Sequence, residues 1–452
     1  MILKRLAVLI GMIWFLLGLT ADSAVADVDE DDSTENFAFV VDTIIVQGAL
    51  VTKPFIIFRE MTIQVGDTVT WEQIEEDQKS IENLNIFARV EIIPRVIANR
   101  NELVVLVTEE WYILPRPFWR REEGDFSRIT YGFEYLQKNF RGRNERISAK
   151  IWVGEETGYQ ASYSNPWFIN RGNWGCNIYV FQATRGVENA KYRTLGADIK
   201  TSGWRTSVQR RFGFDTRVTV GVGLTRYRSA YSDLMAADDR YDDWTSLNVG
   251  FITDGRDLIE YPNEGWYRQV YVSWNYLLNH PPSLKEINMI SGSVDIRHYH
   301  TLLGDFIACQ RGLISISGGL VPLYRRYFLG ANTTIKVRGW RGDTEEGEGL
   351  FLGSLGVRRH IFPVRYFTWK SAPILKRYFR DLKYGLSAAL FLDFGQVWIR
   401  PNDATYKKFQ AGWGAGLHFR MPYLDVLRLE AGWSPESSFK DAEITIRNQV
   451  AF

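Results

Sequence analysis

The sequence predicts a transmembrane β-barrel of about sixteen antiparallel strands, preceded by one small α/β module. Three observations carry that reading: a leader-like N-terminus, an apolar alternation of period two beyond residue 111, and an aromatic share of 14% with 16 Trp and 22 Tyr. Amphipathic rings at that density suit the girdles where a barrel meets lipid headgroups.

Residues 1–26 read as a secretory signal peptide. Lys4 and Arg5 open it, Leu6 to Leu19 is an almost unbroken apolar run, and Ala24-Val25-Ala26 offers small residues for cleavage. The run is short for a spanning helix, and an uncleaved anchor is the alternative. No later stretch is apolar enough to span as a helix, and mean hydropathy is −0.20. Without Lys4, Arg5 and Asp22 the formal charge of +1 falls to 0. That balance gives no ground for a nucleic-acid partner.

Residues 27–39 form an acidic linker, with Asp27, Asp29, Glu30, Asp31, Asp32 and Glu35 and little to bury. Residues 40–110 read as a β-α-α-β-β unit. Thr43 to Gln47 predicts a strand, Gly48 a turn, and Pro54 to Met61 a short apolar helix. Thr70 and Gln73 have capping-box spacing, and Trp71, Ile74, Ile81 and Leu84 share one helical face behind them. Phe87 to Val96 and Glu102 to Val107 predict two more strands.

From residue 111 to 452 the period is two. Val218, Val220, Val222 and Leu224 alternate with small or polar residues, as do Val270, Val272, Trp274 and Tyr276, and Ile314 and Ile316. One face apolar and one polar is the pattern of strands between lipid and a wet lumen, although a soluble sandwich alternates in the same way. Roughly 20 residues per strand and connection gives the strand number. Asn139 to Gly142, Asn165 to Phe168 and Asp254 to Gly265 read as short turns on one rim. Ser229 to Asp243 and Leu320 to Gly349 read as longer loops on the other. Cys176 and Cys309 are too few for a disulfide scaffold; they read as small buried or lipid-facing side chains, with their pairing left open.

Several short motifs stand in a fixed order. They are Ile45-Val46-Gln47-Gly48, Gly66-Asp67-Thr68 and Leu84 to Val90 in the module. In the barrel they are Asn165-Pro166-Trp167-Phe168, Asp254-Gly255-Arg256-Asp257 with Pro262 and Gly265, Phe328-Leu329-Gly330, Val337-Arg338-Gly339-Trp340, and Phe391-Leu392-Asp393-Phe394-Gly395. In this order and with the closing strand, the chain resembles the BamA/TamA-type outer-membrane assembly and translocation superfamily, also called the bacterial surface antigen family. The resemblance covers nearly everything after the leader and implies a single POTRA domain in the periplasm at residues 40–110.

The resemblance implies that the loop carrying Val337, Arg338, Gly339 and Trp340 folds back into the lumen, with Arg338 as its anchor and Asp393 as the partner. A guanidinium in a confined polar lumen gains from a bidentate carboxylate. An ordinary solvated external loop is the alternative. Two departures from the family stand out. Gly330 is followed by Ala331 where relatives often pair glycines, and Val357-Arg358-Arg359 occupies the strand where many carry a Glu, so no second acid is assigned to Arg338.

Ile444, Ile446, Val450 and Phe452 share one face and resemble the C-terminal signal by which barrels are recognised for assembly, with Asn448 interrupting the stripe. Pro115 and Pro117 each remove a ladder donor near the start of the barrel. They mark either a weak seam against the last strand, as lateral opening requires, or a linker with the strand beginning later.

Signals for an enzyme are poor. His298 and His300 share a strand face from which Asp295 is excluded by parity, so they read as a lumen- or interface-facing pair rather than a metal site. No phosphate loop, nucleophile elbow or zinc-protease motif is present, and no cofactor is expected. The resemblance implies assisted insertion, assembly or translocation of polypeptides at the outer membrane. The expected partners are outer-membrane lipids, unfolded outer-membrane or secreted polypeptide clients, and periplasmic accessory proteins. The alternatives are a dedicated secretion pore and a passive porin or lipid-organising barrel.

Overall fold

The computed structural model describes residues 39–121, 129–169, 172–237, 239–330, 335–342, 344–371, 376–399 and 409–448. The signal peptide, all of the acidic linker but its last residue, and Val450 and Phe452 lie outside the described residues.

The N-terminal module begins with β1 (Phe39–Val40), β2 (Thr43–Gln47), α1 (Pro54–Phe58) and β3 (Thr68–Val69). It continues with α2 (Trp71–Glu82), β4 (Phe87–Ile97) and β5 (Arg100–Glu109). Strands β2, β5 and β4 form one sheet in that order, β2 parallel and β4 antiparallel to β5. The start of α2 is set by its cap: the Thr70 hydroxyl accepts from the Gln73 amide, and the Gln73 side chain accepts from the Thr70 amide. Ile74 and Ile81 of this helix are buried against Ile56, Ile57, Leu103 and Val105, which makes the module core. Buried Asp77 accepts from the amides of Thr62 and Ile63 at 2.7 and 3.1 Å, pinning the chain after α1 to α2. Trp71 does not join the core: as the first residue of α2 it is 50% exposed, turned away from the sheet that Ile74 and Ile81 cover.

The barrel strands follow as β6 (Ile113–Arg121), β7 (Ile129–Phe140), β8 (Glu145–Gly154), β9 (Thr157–Ile169) and β10 (Trp174–Gly186). After the short α3 (Ala190–Thr194) come β11 (Asp198–Phe212), β12 (Thr216–Ser229), β13 (Tyr241–Asp254), β14 (Gly265–Leu277), β15 (Asn288–Thr301) and β16 (Phe306–Gly319). A small hairpin, β17 (Tyr327–Leu329) with β18 (Glu345–Gly347), interrupts the series. The barrel then resumes with β19 (Gly349–Phe367), β20 (Leu382–Trp398), β21 (Gln410–Met421), β22 (Leu424–Trp433) and β23 (Glu443–Asn448).

Sixteen of these strands make one antiparallel sheet, each beside its chain neighbour except where β16 meets β19 across the hairpin. This is the barrel that the alternation predicts. Val220, Val222 and Leu224 of β12 and Val270, Val272 and Trp274 of β14 point outward and stay exposed, as an apolar belt for lipid must. Their neighbours in sequence face the lumen. No helix among the described residues is long and apolar enough to cross a membrane.

Parity also sorts the remaining expectations. Cys309 is buried on the luminal face and Cys176 shares the outer face of Ile178 and Val180; both are free. His298 and His300 face outward and stack on each other with centroids 4.7 Å apart, His298 also stacks on Trp266 at 3.9 Å, and Asp295 faces the lumen and binds Arg297 and Arg311. Asn165 to Phe168 is not a turn but the end of β9, where the ladder to β10 slips its register between Trp174 and Cys176. Pro115 and Pro117 lie inside β6, opposite Tyr135 and Phe133 of β7, so the linker reading of these prolines fails.

Candidate functional site

Of the chain between β16 and β19, residues 335–342 do not project away from the barrel. Leu329 and Val337 are fully buried with Leu350, Leu352 and Val397 of the wall, and Trp340 packs against the same cluster. Removal of this apolar surface from water draws the segment against β19 and β20. Its tip is then fixed by charge.

Arg338 is buried, and its guanidinium reaches two strands. Nε and Nη2 donate to Asp393 of β20 at 2.6 and 2.8 Å, Nη1 donates to Glu430 of β22 at 2.8 Å, and the Arg338 amide also donates to Asp393 at 3.1 Å. The guanidinium lies 3.8 Å from the centre of the Phe391 ring. Two carboxylates and an aromatic face are the complement that a buried arginine requires, and breaking such a pair costs about 3–5 kcal/mol.

Backbone contact completes the fit. Gly339 has φ +86°, and a Cβ there would lie 2.4 Å from the Trp433 nitrogen and 2.5 Å from its carbonyl oxygen. The space belongs to β22, so only glycine lets the tip lie flat on the strand. Gly412 of β21 serves the opposite side: a Cβ on it would meet the Arg338 carbonyl at 2.0 Å. Glu443 of β23 accepts from the Gly339 amide at 2.8 Å and pairs with Lys336. Arg341 donates to the Ala442 carbonyl at 2.7 Å.

Val337, Arg338, Gly339, Trp340 and Asp393 thus come together on the wall formed by β20 to β23. Glu430 and Glu443 join them and are not legible from the motifs, whereas Phe391 opens the motif that carries Asp393. The signal for Glu430 is parity: Arg428 and Glu430 alternate with outward-facing Leu429 in β22. The acid missing from the strand after the loop is supplied three strands later in the sheet.

A second chain of contacts links this site to the N-terminal module. Glu430 accepts from, or is approached by, His418 Nε2 at 3.3 Å, and His418 Nδ1 lies 2.9 Å from the Tyr261 hydroxyl. Tyr261 comes from the connection between β13 and β14 yet is only 1% exposed. Arg358 and Arg420 cover its ring at 3.9 and 4.6 Å, and Arg420 donates to its carbonyl at 3.2 Å. Just before Tyr261 in the same connection, Asp257 and Ile259 are gripped by Asn83, the residue that follows α2. Its amide nitrogen donates to the Asp257 carbonyl at 2.9 Å and its oxygen accepts from the Ile259 amide at 2.8 Å. The module is further held to the rim by Glu60 with Arg211, both bonds 2.7 Å, and by Glu110 with Lys138.

At the ends of the sheet, Ile444 and Ile446 are 71% and 70% exposed on the outer face of β23. Among the described residues no ladder joins β6 to β23, and Arg116 of β6 donates to the Tyr423 carbonyl beside β22 at 3.3 Å.

Comparison with known proteins places this architecture. The Omp85 superfamily domain matches residues 139–445. A curated relative from Treponema pallidum, named as an outer membrane protein assembly factor, is 24% identical over 310 residues, which are 58% of this chain and 36% of the relative. The chain therefore spans about a third of that relative's length. Among solved structures, BamA from Haemophilus ducreyi lacking POTRA domains 1–3 aligns over 90% of this chain and 83% of its own, with 15% identity and a TM-score of 0.52. CdiB from Escherichia coli aligns over 94% and 91%, with 12% identity and a TM-score of 0.52. These two likenesses establish a shared fold. The family match spans about two thirds of the chain, which belongs to the Omp85 superfamily as a β-barrel of the outer membrane.

Proposed function

We propose that this barrel assists the insertion, assembly or translocation of polypeptides at the outer membrane. The observation that carries the proposal is the luminal segment clamped through Arg338 to β20 and β22 and wired through Tyr261 and Asn83 to the module. A passive pore has no need of a plug tied to a docking domain.

In this reading residues 40–110 are a POTRA domain in the periplasm. Strand β2 forms an edge of its sheet, and such an edge accepts an extended client by backbone hydrogen bonds, which tolerates many sequences. A client bound there strains the grip of Asn83 on residues 257–261, and the strain passes through His418 and Glu430 to the Arg338 clamp. The first strand, with Pro115 and Pro117 lacking ladder donors, is the weak side of the seam through which a client strand enters lipid. The driving free energy comes from client folding and lipid burial, without nucleotide, cofactor or catalysis.

The test is reconstitution of the full chain in liposomes and measurement of how fast an unrelated unfolded barrel protein inserts, against empty liposomes. The proposal requires a clear acceleration that disappears when residues 112–119 are crosslinked to β23. Equal rates with and without the protein would exclude an insertase. A wide, steady conductance with no client effect would mark a passive barrel; transport of a single exported partner would mark a dedicated secretion pore.

A further inference from the structure

The luminal wall beside the Arg338 clamp carries more positive charge than its carboxylates can balance. Arg358 of β19 and Arg428 of β22 both point inward and are only 4% and 6% exposed. Arg428 makes no hydrogen bond among the described residues, and the Nε atoms of both arginines are buried without a partner. Arg358 has one long polar contact, from Nη2 to the Asn263 side chain at 3.4 Å. Directly across the ladder from Arg428 stands another arginine, Arg447. Like charges placed opposite each other destabilise a strand pair, and buried cations without a counter-charge are costly.

A small cavity lies between these groups. It measures about 30 Å³; its charged and polar lining is Arg338, Arg358, Arg428 and His418, its apolar lining includes Phe391 and Leu390, and no carboxylate lies on its surface. Both oxygens of Asp393 bind Arg338, and Glu430 gives Arg338 its Oε1 and keeps only a buried Oε2 free. Three guanidinium groups line the cavity and a fourth, Arg447, stands beside it, so arginines outnumber Asp393 and Glu430 here. The volume admits a monatomic ion or one or two waters.

We propose that the lumen binds one monatomic anion of the halide class between Arg358 and Arg428. Its charge neutralises the excess, its contacts satisfy the orphaned Nε donors, and it screens Arg428 from Arg447. Bound there, it is a structural ion for the wall on which the loop tip rests, independent of whether the barrel acts on clients.

Crystals of the full chain soaked in sodium bromide test the assignment directly. The expected result is an anomalous bromine peak in contact with the Arg358 and Arg428 guanidinium groups, lost in Arg428→Gln. No peak, or water alone in the cavity, overturns the proposal; a peak retained in Arg428→Gln means an adventitious ion only and overturns it as well. A solution measurement decides if that variant does not fold. Replacing gluconate by chloride at constant ionic strength raises the unfolding temperature of the unaltered protein if the ion is bound, whereas equal temperatures in both salts refute the site.

Discussion

The two halves of the luminal wall are built differently. Midway along β10 to β13 the wall carries small neutral inward residues joined by long contacts, Asn177 to Ser207 at 3.4 Å and Asn248 to Ser246 at 3.4 Å, with charge at the strand ends, where Arg211 binds Glu60 of the module. The neutral side chains are half-buried or wetter, so water serves them as well as a neighbour does. On β19 to β23 the inward residues are buried charges at 2.6 to 2.8 Å, pressed under the returning segment. The same period-two alternation thus produces a plain wet surface on one side and a locked one on the other. The difference shows that the wall can be built from small polar residues where nothing rests on it, and that Asp393, Glu430 and Glu443 serve the loop.

Five substitutions sharpen or break this contrast. Arg338→Ala has the largest expected effect: it leaves Asp393 and Glu430 buried without their cation, costs about 3–5 kcal/mol at the clamp, and frees the segment. Limited proteolysis within residues 335–342 reads the release. Next, Asp393→Asn weakens the clamp more than Glu430→Gln, because Asp393 accepts three of the four Arg338 hydrogen bonds and Glu430 one. The same proteolysis ranks the two, and equal sensitivity contradicts the geometry. Third, Asn83→Ala removes both bonds to the β13–β14 connection, a loss of about 1–3 kcal/mol in module docking. Faster hydrogen exchange at the Ile259 amide is its signature. Last, Ser207→Ala on the plain wall changes stability by less than about 0.5 kcal/mol in a denaturant titration.

What the sequence made legible follows the same division. The barrel and its strand number were readable because Val220, Val222 and Leu224 had to alternate with Gly221 and Gly223 to satisfy lipid and lumen together. The helix start at Thr70 was readable because capping is local. Glu430 was not, because its partnership with Arg338 spans 92 residues and depends on which strands the closed sheet brings round. Tyr261 was hidden for another reason: it sits in a connection, where no periodicity says whether a side chain turns into the lumen. The end of β9 was misread as a turn because Asn165-Pro166 carries turn chemistry, yet a register slip in the ladder absorbs it. Local rules failed where the tertiary arrangement supplied the missing partner.

The most direct test of the account is the conductance of the purified barrel in planar bilayers, recorded for the unaltered protein and for Arg338→Ala. A segment held in the lumen by one buried guanidinium predicts a small conductance that becomes large and fluctuating in the variant. Identical traces, with the variant inserted and folded, would contradict the clamp as the element that holds this segment in the lumen.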